Sequence, residues 1–302
     1  MLSFQFTSTY IDFYSNSLSI TLILFSLSLL TLNYFITKEF HQSASYRLSI
    51  LILLADLFYG IGTFLGIHPQ ITVSKPLCYV YQWLSTFSIS ISVSYSTVIA
   101  VIYLLNIVYE YRLSKIAKYI VYLLPLLISL LTSLLPIIFN KINTQGTCGY
   151  NSNYDGLLWF IVSNFMAIFI ACCLCPIIYG MIIHYLLKKH YQLRYNNSYL
   201  LKSQYQFQFI TYLRLIFYSL VPIVSHSINI FMSIMRLANI PLSITTIHRL
   251  SYFGNFLIGT QGFINSILFL TNSIFLKELD QVYHFIFEYK RFHCQYEYAI
   301  NK

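Results

Sequence analysis

The 302-residue chain is 57% apolar and only 9% charged, with a mean hydropathy of +0.66. A soluble domain carries about 25% charged residues, and so small a polar fraction could not cover a water-facing surface, so composition excludes an ordinary soluble fold and points to a membrane protein. The net charge of +9 does not signal a nucleic-acid partner, because the 18 Lys and Arg are scattered in short pieces with no dense basic stripe.

Residues 1–16 contain no Lys or Arg, so they lack the basic start of a cleavable signal peptide, and they read as a short extracellular N-terminus. Seven long apolar runs follow, at 17–36, 48–67, 77–109, 119–139, 157–187, 207–234 and 250–275. Each is long enough to cross a bilayer, and each is continuous rather than alternating, which favours helices over a β-barrel. The third, fifth and sixth exceed what the hydrocarbon core needs and are expected to tilt or project. The expectation is therefore an all-α membrane protein: a seven-transmembrane helix bundle over 17–275, with a cytoplasmic tail at 276–302. No connecting piece exceeds about 25 residues and no internal repeat is visible, so a second domain is not expected.

Orientation follows from the basic residues. With the N-terminus outside, inner pieces hold 14 of the 18 Lys and Arg, and outer pieces hold only Lys75, Lys141, Arg236 and Arg249. Positive charge concentrates on the cytoplasmic side, so the N-terminus is expected outside and the C-terminus inside. The sequon Asn196-Asn197-Ser198 then lies inside and is read as chance; a glycan there would reverse the orientation. In the tail, Phe275, Leu279, Val282 and Ile286 recur on one helical face and predict a short amphipathic helix on the inner membrane surface.

Six cysteines are present. Cys78 opens the third run and Cys148 lies in the second outer loop, so both face an oxidising compartment; a bridge is chemically allowed, the alternative being two free thiols. Cys172, Cys173 and Cys175 read as soft packing residues of the fifth run rather than a metal site. Cys294 is either a palmitoylation site or a free thiol.

Polar residues inside the runs carry the remaining signal. The stretch GTQGFINSILFLTN at 259–272 places Gln261, Asn265 and Asn272 within about 40° of one another around a helix. An amide left without a partner in lipid costs several kcal/mol, so this stripe should face the bundle interior. Asp56 is the one acidic residue deep inside any run and should face inward too, protonated or paired. Its functional reading is a switch network with Asn265 or a bound cation, extended by Gln261, Ser266 and Asn272; its structural reading is a carboxyl that holds helices together. Gln261 and Gly262 would allow close helix approach and bending. Pro125 and Pro136 in the fourth run, Pro176 in the fifth and Pro222 in the sixth mark possible kinks. A ligand in the outer half would meet Gln82, Trp83, Trp159, Asn164, His226, Asn229 and Asn255, although each residue has an ordinary packing or interfacial explanation as well.

The segment TQGFINSILFLTN resembles the seventh-helix pattern of G-protein-coupled receptors in the cAMP-receptor-like, fungal glucose-sensing and secretin/adhesion branches. Gln261, Gly262, Phe263, Asn265 and Asn272 match that pattern, and Phe269 stands where an aromatic is usual. YRLSILILLADLFYGIGTF at 46–64 resembles the second helix of these families, and STVIAVIYLLNIVYEYR the third helix of the cAMP-receptor-like type. The rhodopsin-branch Asp-Arg-Tyr is absent. Arg112 of Glu110-Tyr111-Arg112 lies 34 residues beyond Cys78, roughly 50 Å along a helix, and reads as a loop charge. Asn265-Ser266-Ile267-Leu268-Phe269 replaces Asn-Pro-x-x-Tyr. The short N-terminus argues against the secretin and adhesion members.

The resemblance implies a plasma-membrane receptor that passes an extracellular nutrient or small-molecule signal to a heterotrimeric G protein. Lys115, Lys118, Lys188, Lys189, Arg194 and Arg214 would meet that partner, though inner-side positive charge alone explains them. Membrane lipid is the other partner, and no cofactor or metal is implied. A retinal protein would need a lysine in the last run, and none occurs between Lys202 and Lys277. A seven-helix transporter or channel is the alternative, though paired carboxylates and a repeat are missing. A membrane enzyme would need a catalytic constellation, and the eight His are scattered.

Overall fold

The computed structural model describes residues 2–37, 44–67, 74–111, 113–144, 148–151, 154–195, 217, 220–228, 230–232, 234–235, 238, 240–272 and 275–276. Its elements are α1 (Leu2–Thr37), α2 (Ala44–Ile67), α3 (Lys75–Ile107), α4 (Lys115–Ile138), β1 (Ile142–Asn143), β2 (Gly149–Tyr150), α5 (Tyr154–Phe160), a π-helical turn (Ile161–Phe165), α6 (Met166–Tyr195) and α7 (Ile244–Leu270). Six of these stretches are long and apolar enough to cross a membrane, among them the continuous rod Asp155–Lys189 that runs through the π turn. The chain is an all-α multi-pass membrane protein. The run expected at 207–234 is described only in part, and is helical at 217, 220–228, 230–232 and 234–235. Phe275, the first residue of the expected tail helix, is helical and buried against Phe269 with ring centroids 5.0 Å apart; the tail beyond Leu276, Cys294, Arg112 and the Asn196 sequon lie outside the described residues. Helix α1 begins at Leu2, so helix already covers most of the segment read as a short N-terminus.

Local signals explain several boundaries. Ser114 caps α4 by accepting a hydrogen bond from the Ala117 N–H at 3.2 Å, and Ser243 caps α7 by accepting from the Thr246 N–H at 3.2 Å. Pro76 sits in the first turn of α3, where its missing N–H costs nothing. Beyond α4, Asn140 takes φ 52°, the left-handed conformation that ends helices. The chain then forms a two-residue antiparallel hairpin that pairs Ile142 with Tyr150 and Asn143 with Gly149.

Packing is inverted relative to a soluble protein. Helix α4 buries Pro125, Ser129, Ser133 and Pro136 and exposes Leu123, Leu124, Leu127 and Leu131. Small polar residues face the neighbouring helices, which lets backbones approach, while large apolar residues face lipid. Helix α3 is the central pillar, packed against α2, α4 and α6. It buries Thr86, Ser88, Ser90, Ser92 and Ser96, and the Tyr95 hydroxyl donates to the Tyr122 carbonyl of α4 at 3.1 Å. One apolar cluster joins α1, α2, α3 and α7 through Ile23, Leu53, Ile99 and Phe269. A second joins α3 to α6 through Val93, Ala100, Ile168 and Ile182.

Contacts fix the direction of each helix. Cys78 and Cys148 lie at disulfide distance, with S–S 2.11 Å and Cα–Cα 5.6 Å, and so pin the hairpin to the start of α3. Gly66, at the end of α2, abuts the Tyr81 ring near this disulfide end, and Phe64 meets Phe13 of α1. Tyr46, at the start of α2, stacks on Phe269 at the end of α7. Helices α1, α3, α5 and α7 therefore start at the disulfide end, and α2 and α4 start at the opposite end.

Candidate functional site

Asp56 sits halfway along α2 and is only 5% exposed. Its carboxylate draws together three helices. Oδ1 accepts from Gln261 Nε2 of α7 at 3.0 Å and from Ser92 Oγ of α3 at 3.2 Å. Oδ2 accepts from Asn265 Nδ2 of α7 at 2.7 Å. Gln261 and Asn265 are four residues apart, one helical turn, so both amides reach the same carboxylate from one face of α7. All three donors are neutral, so among the described residues the carboxyl is held by directed hydrogen bonds rather than by an ion pair.

Helix α7 approaches α1 closely beside this hub. A methyl group at Gly259 would collide with Ser15, and one at Gly262 would come within 2.9 Å of Ile23, 3.3 Å of Ser19 and 3.4 Å of Asp56. The Ser19 hydroxyl bridges one rung of the α7 ladder: it donates to the Gly259 carbonyl at 2.5 Å and accepts from the Phe263 N–H at 3.1 Å. A side chain inserted at a helix rung is a recognised cause of bending.

Above the hub, towards the disulfide end, a narrow cleft is lined by Asp56, Tyr59, Ser88, Ile89, His226, Ile258 and Gln261. His226 is 2% exposed and lines the cleft together with Gln261.

A second polar cluster lies between the hairpin and the helices. The Tyr150 side chain reaches inward from β2, and its ring packs against Phe160 with centroids 5.2 Å apart. Its hydroxyl lies 2.6 Å from Ser163 Oγ, 3.3 Å from Asn164 Nδ2 and 3.4 Å from Thr86 Oγ1. Gln82 Nε2 donates to Thr86 at 3.3 Å. The π turn matters here, because Ser163, Asn164 and Phe165 are all buried in succession, which widening a helix by one residue permits.

The residues singled out from sequence divide accordingly. Asp56, Gln261 and Asn265 come together. Ser266 is buried but donates to the Gly262 carbonyl of its own helix at 2.8 Å, and Asn272 lies beyond the end of α7, where its N–H bonds the Phe269 carbonyl at 2.9 Å. Gln82 and Asn164 join the Tyr150 cluster and His226 borders the cleft. Trp159 packs on Phe139 at 5.3 Å, and Trp83 stacks on Phe87 at 5.6 Å. Asn255 is half-buried on α7, and Asn229 lies outside the described residues. Lys115, Lys118, Lys188 and Lys189 are exposed at the end opposite the disulfide; the Arg194 side chain and Arg214 lie outside the described residues. Among the described residues no group of three His, Cys, Asp or Glu is placed to hold a metal ion.

Sequence reasoning passed over Ser92, Ser19, Thr86, Ser163 and Tyr150. The serine-rich run STFSISISVSYS at 85–96 was the available signal for Ser92, since small polar residues mark close helix packing. Tyr150 is one of 28 tyrosines and carried no signal of its own. Compared with known proteins, the chain matches no family model, and no curated protein matches it.

Proposed function

We propose that the chain is a seven-helix plasma-membrane receptor that carries an extracellular chemical signal, from a nutrient or other small molecule, to a heterotrimeric G protein. The observation that carries this reading is the Asp56 hub. It ties α2, α3 and α7 to one buried carboxyl through Ser92, Gln261 and Asn265. A ligand bound among the helices at the disulfide end acts by favouring one of two packings, and a helix that shifts must exchange its hydrogen bonds to this carboxylate.

A seventh crossing is supported by parity. Helix α6 ends opposite the disulfide and α7 starts beside it, which an odd number of crossings between them would account for, and the helical residues at 217, 220–228, 230–232 and 234–235 are the proposed segment. An outside N-terminus is supported by charge, since Lys115, Lys118, Lys188 and Lys189 all lie at the end opposite the disulfide. Those lysines, with Arg194 and Arg214, are the proposed docking surface for the G protein.

The test is nucleotide exchange by candidate heterotrimeric G proteins on the full chain reconstituted in lipid, with a ligand panel. The expected result is ligand-dependent exchange whose basal level changes in Asp56→Asn. Solute flux into liposomes with no exchange for any pairing would overturn the reading in favour of a transporter or channel.

A further inference from the structure

The chemistry around Tyr150 specifies one functional group. Ser163 Oγ donates to the Trp159 carbonyl at 2.6 Å, so its proton is committed and it accepts from the Tyr150 hydroxyl. Thr86 accepts from Gln82 and therefore has its own proton to offer to Tyr150. Asn164 Nδ2 donates. The cage thus presents one acceptor and two donors to a single oxygen, and a hydroxyl, with one proton and two lone pairs, matches all three. A carboxylate has no proton for Ser163, and an ammonium has no lone pair for Asn164 or Thr86. Thr86, Ser163 and Asn164 are 1%, 2% and 6% exposed, so a mismatched group would be left unsatisfied away from water. Phe160 supplies an aromatic wall for a ring attached to that hydroxyl.

We propose that this cage is a binding site for a neutral phenol or a similar hydroxyl-bearing aromatic compound, and that Tyr150 is its tethered occupant. The tether is short: Tyr150 lies two residues from Cys148, which is pinned to α3 at Cys78, and the other strand is held by the Lys141–Asp155 ion pair. A tethered group competes at a high effective concentration, so a free phenol enters only when the hairpin yields or the tyrosine is removed. That such a compound acts as a signal rests on the receptor reading. Occupancy of the cage does not, and it is measured without a G protein.

The experiment uses the full chain in detergent micelles and p-cresol, the tyrosine side chain as a free molecule, with 4-methylanisole as the control that lacks a hydroxyl proton. Thermal unfolding is followed by tryptophan fluorescence. In Tyr150→Ala, p-cresol should raise the unfolding midpoint saturably by several degrees and 4-methylanisole should not. The wild-type chain should not respond until Cys78–Cys148 is reduced, and the triple variant Y150A/T86V/N164L should not respond at all. Equal shifts in all these proteins, or no shift in folded Tyr150→Ala, overturn the proposal. Should Tyr150→Ala fail to fold, a double-mutant cycle between Tyr150→Phe and Asn164→Leu takes its place: loss of midpoint that is less than additive supports the shared hydrogen bond, and strict additivity overturns it. Failure of p-cresol to bind leaves ligand-stimulated nucleotide exchange to be judged separately.

Discussion

The Asp56 hub and the Tyr150 cage solve the same problem in different ways. Each brings buried polar side chains together inside an apolar bundle. The hub gathers neutral donors around a carboxyl that belongs to a spanning helix, so every one of its members is carried by a helix. The cage gathers helix residues around a hydroxyl delivered by a loop, so its completion depends on the hairpin and its bridge to α3. A charge at mid-membrane has no alternative partner, whereas a loop residue has water waiting for it. The hub should therefore be the more costly to disturb, and the cage the more readily exchanged.

That contrast breaks most directly at Asp56. Asp56→Ala removes the acceptor for three donors and is expected to cost roughly 2–4 kcal/mol, allowing for partial re-pairing in the membrane. The measurement is thermal unfolding in a fixed detergent, and a loss no larger than that of Tyr150→Phe would erase the distinction. Gly259→Ala comes next, at about 1–3 kcal/mol, because the new methyl meets Ser15 on a packed helix rather than a free side chain. Its midpoint should recover in part when Ser15→Gly is added, and absence of recovery would mean that α1 and α7 do not meet there.

Smaller effects sharpen the comparison. Tyr150→Phe keeps the ring against Phe160 and removes one hydroxyl, for an expected loss of about 0.5–1.5 kcal/mol in the same assay. Ser19→Ala should be smallest, roughly 0.5–1 kcal/mol, since the Gly259 carbonyl and the Phe263 N–H can bond to each other along the helix once the bridging hydroxyl is gone. Amide exchange at Phe263 checks it: protection should persist in the variant, and its loss would show that the serine, not the helix, satisfies that rung.

The two sites also differ in how far they were legible. Asp56, Gln261 and Asn265 stood out because each is expensive in an apolar run, and period and depth alone required them to face inward. Ser92 did not stand out, because a serine can satisfy itself by bonding back to its own helix, as Ser96 does to the Ser92 carbonyl at 2.8 Å. Asn272 shared the stripe in a projected helix, yet α7 ends at Leu270, two residues too soon for it to take that place. The π turn at Ile161–Phe165 left no mark in the hydrophobic pattern, because every residue around it is compatible with an ordinary helix.

By itself the sequence determined the solvent and the topology class of this protein: long apolar runs with almost no charge can exist only as helices in a bilayer, since lipid offers the backbone no other hydrogen-bond partners. It also singled out Asp56, Gln261 and Asn265 as side chains that had to be buried. Which of those side chains meet was decided by tertiary structure. Whether Gln261 reaches Asp56, or Tyr150 reaches Ser163, depends on interhelical distance set by glycines and serines, on one widened helical turn, and on a loop held at Cys148, and none of these distances is encoded in the period of a single helix.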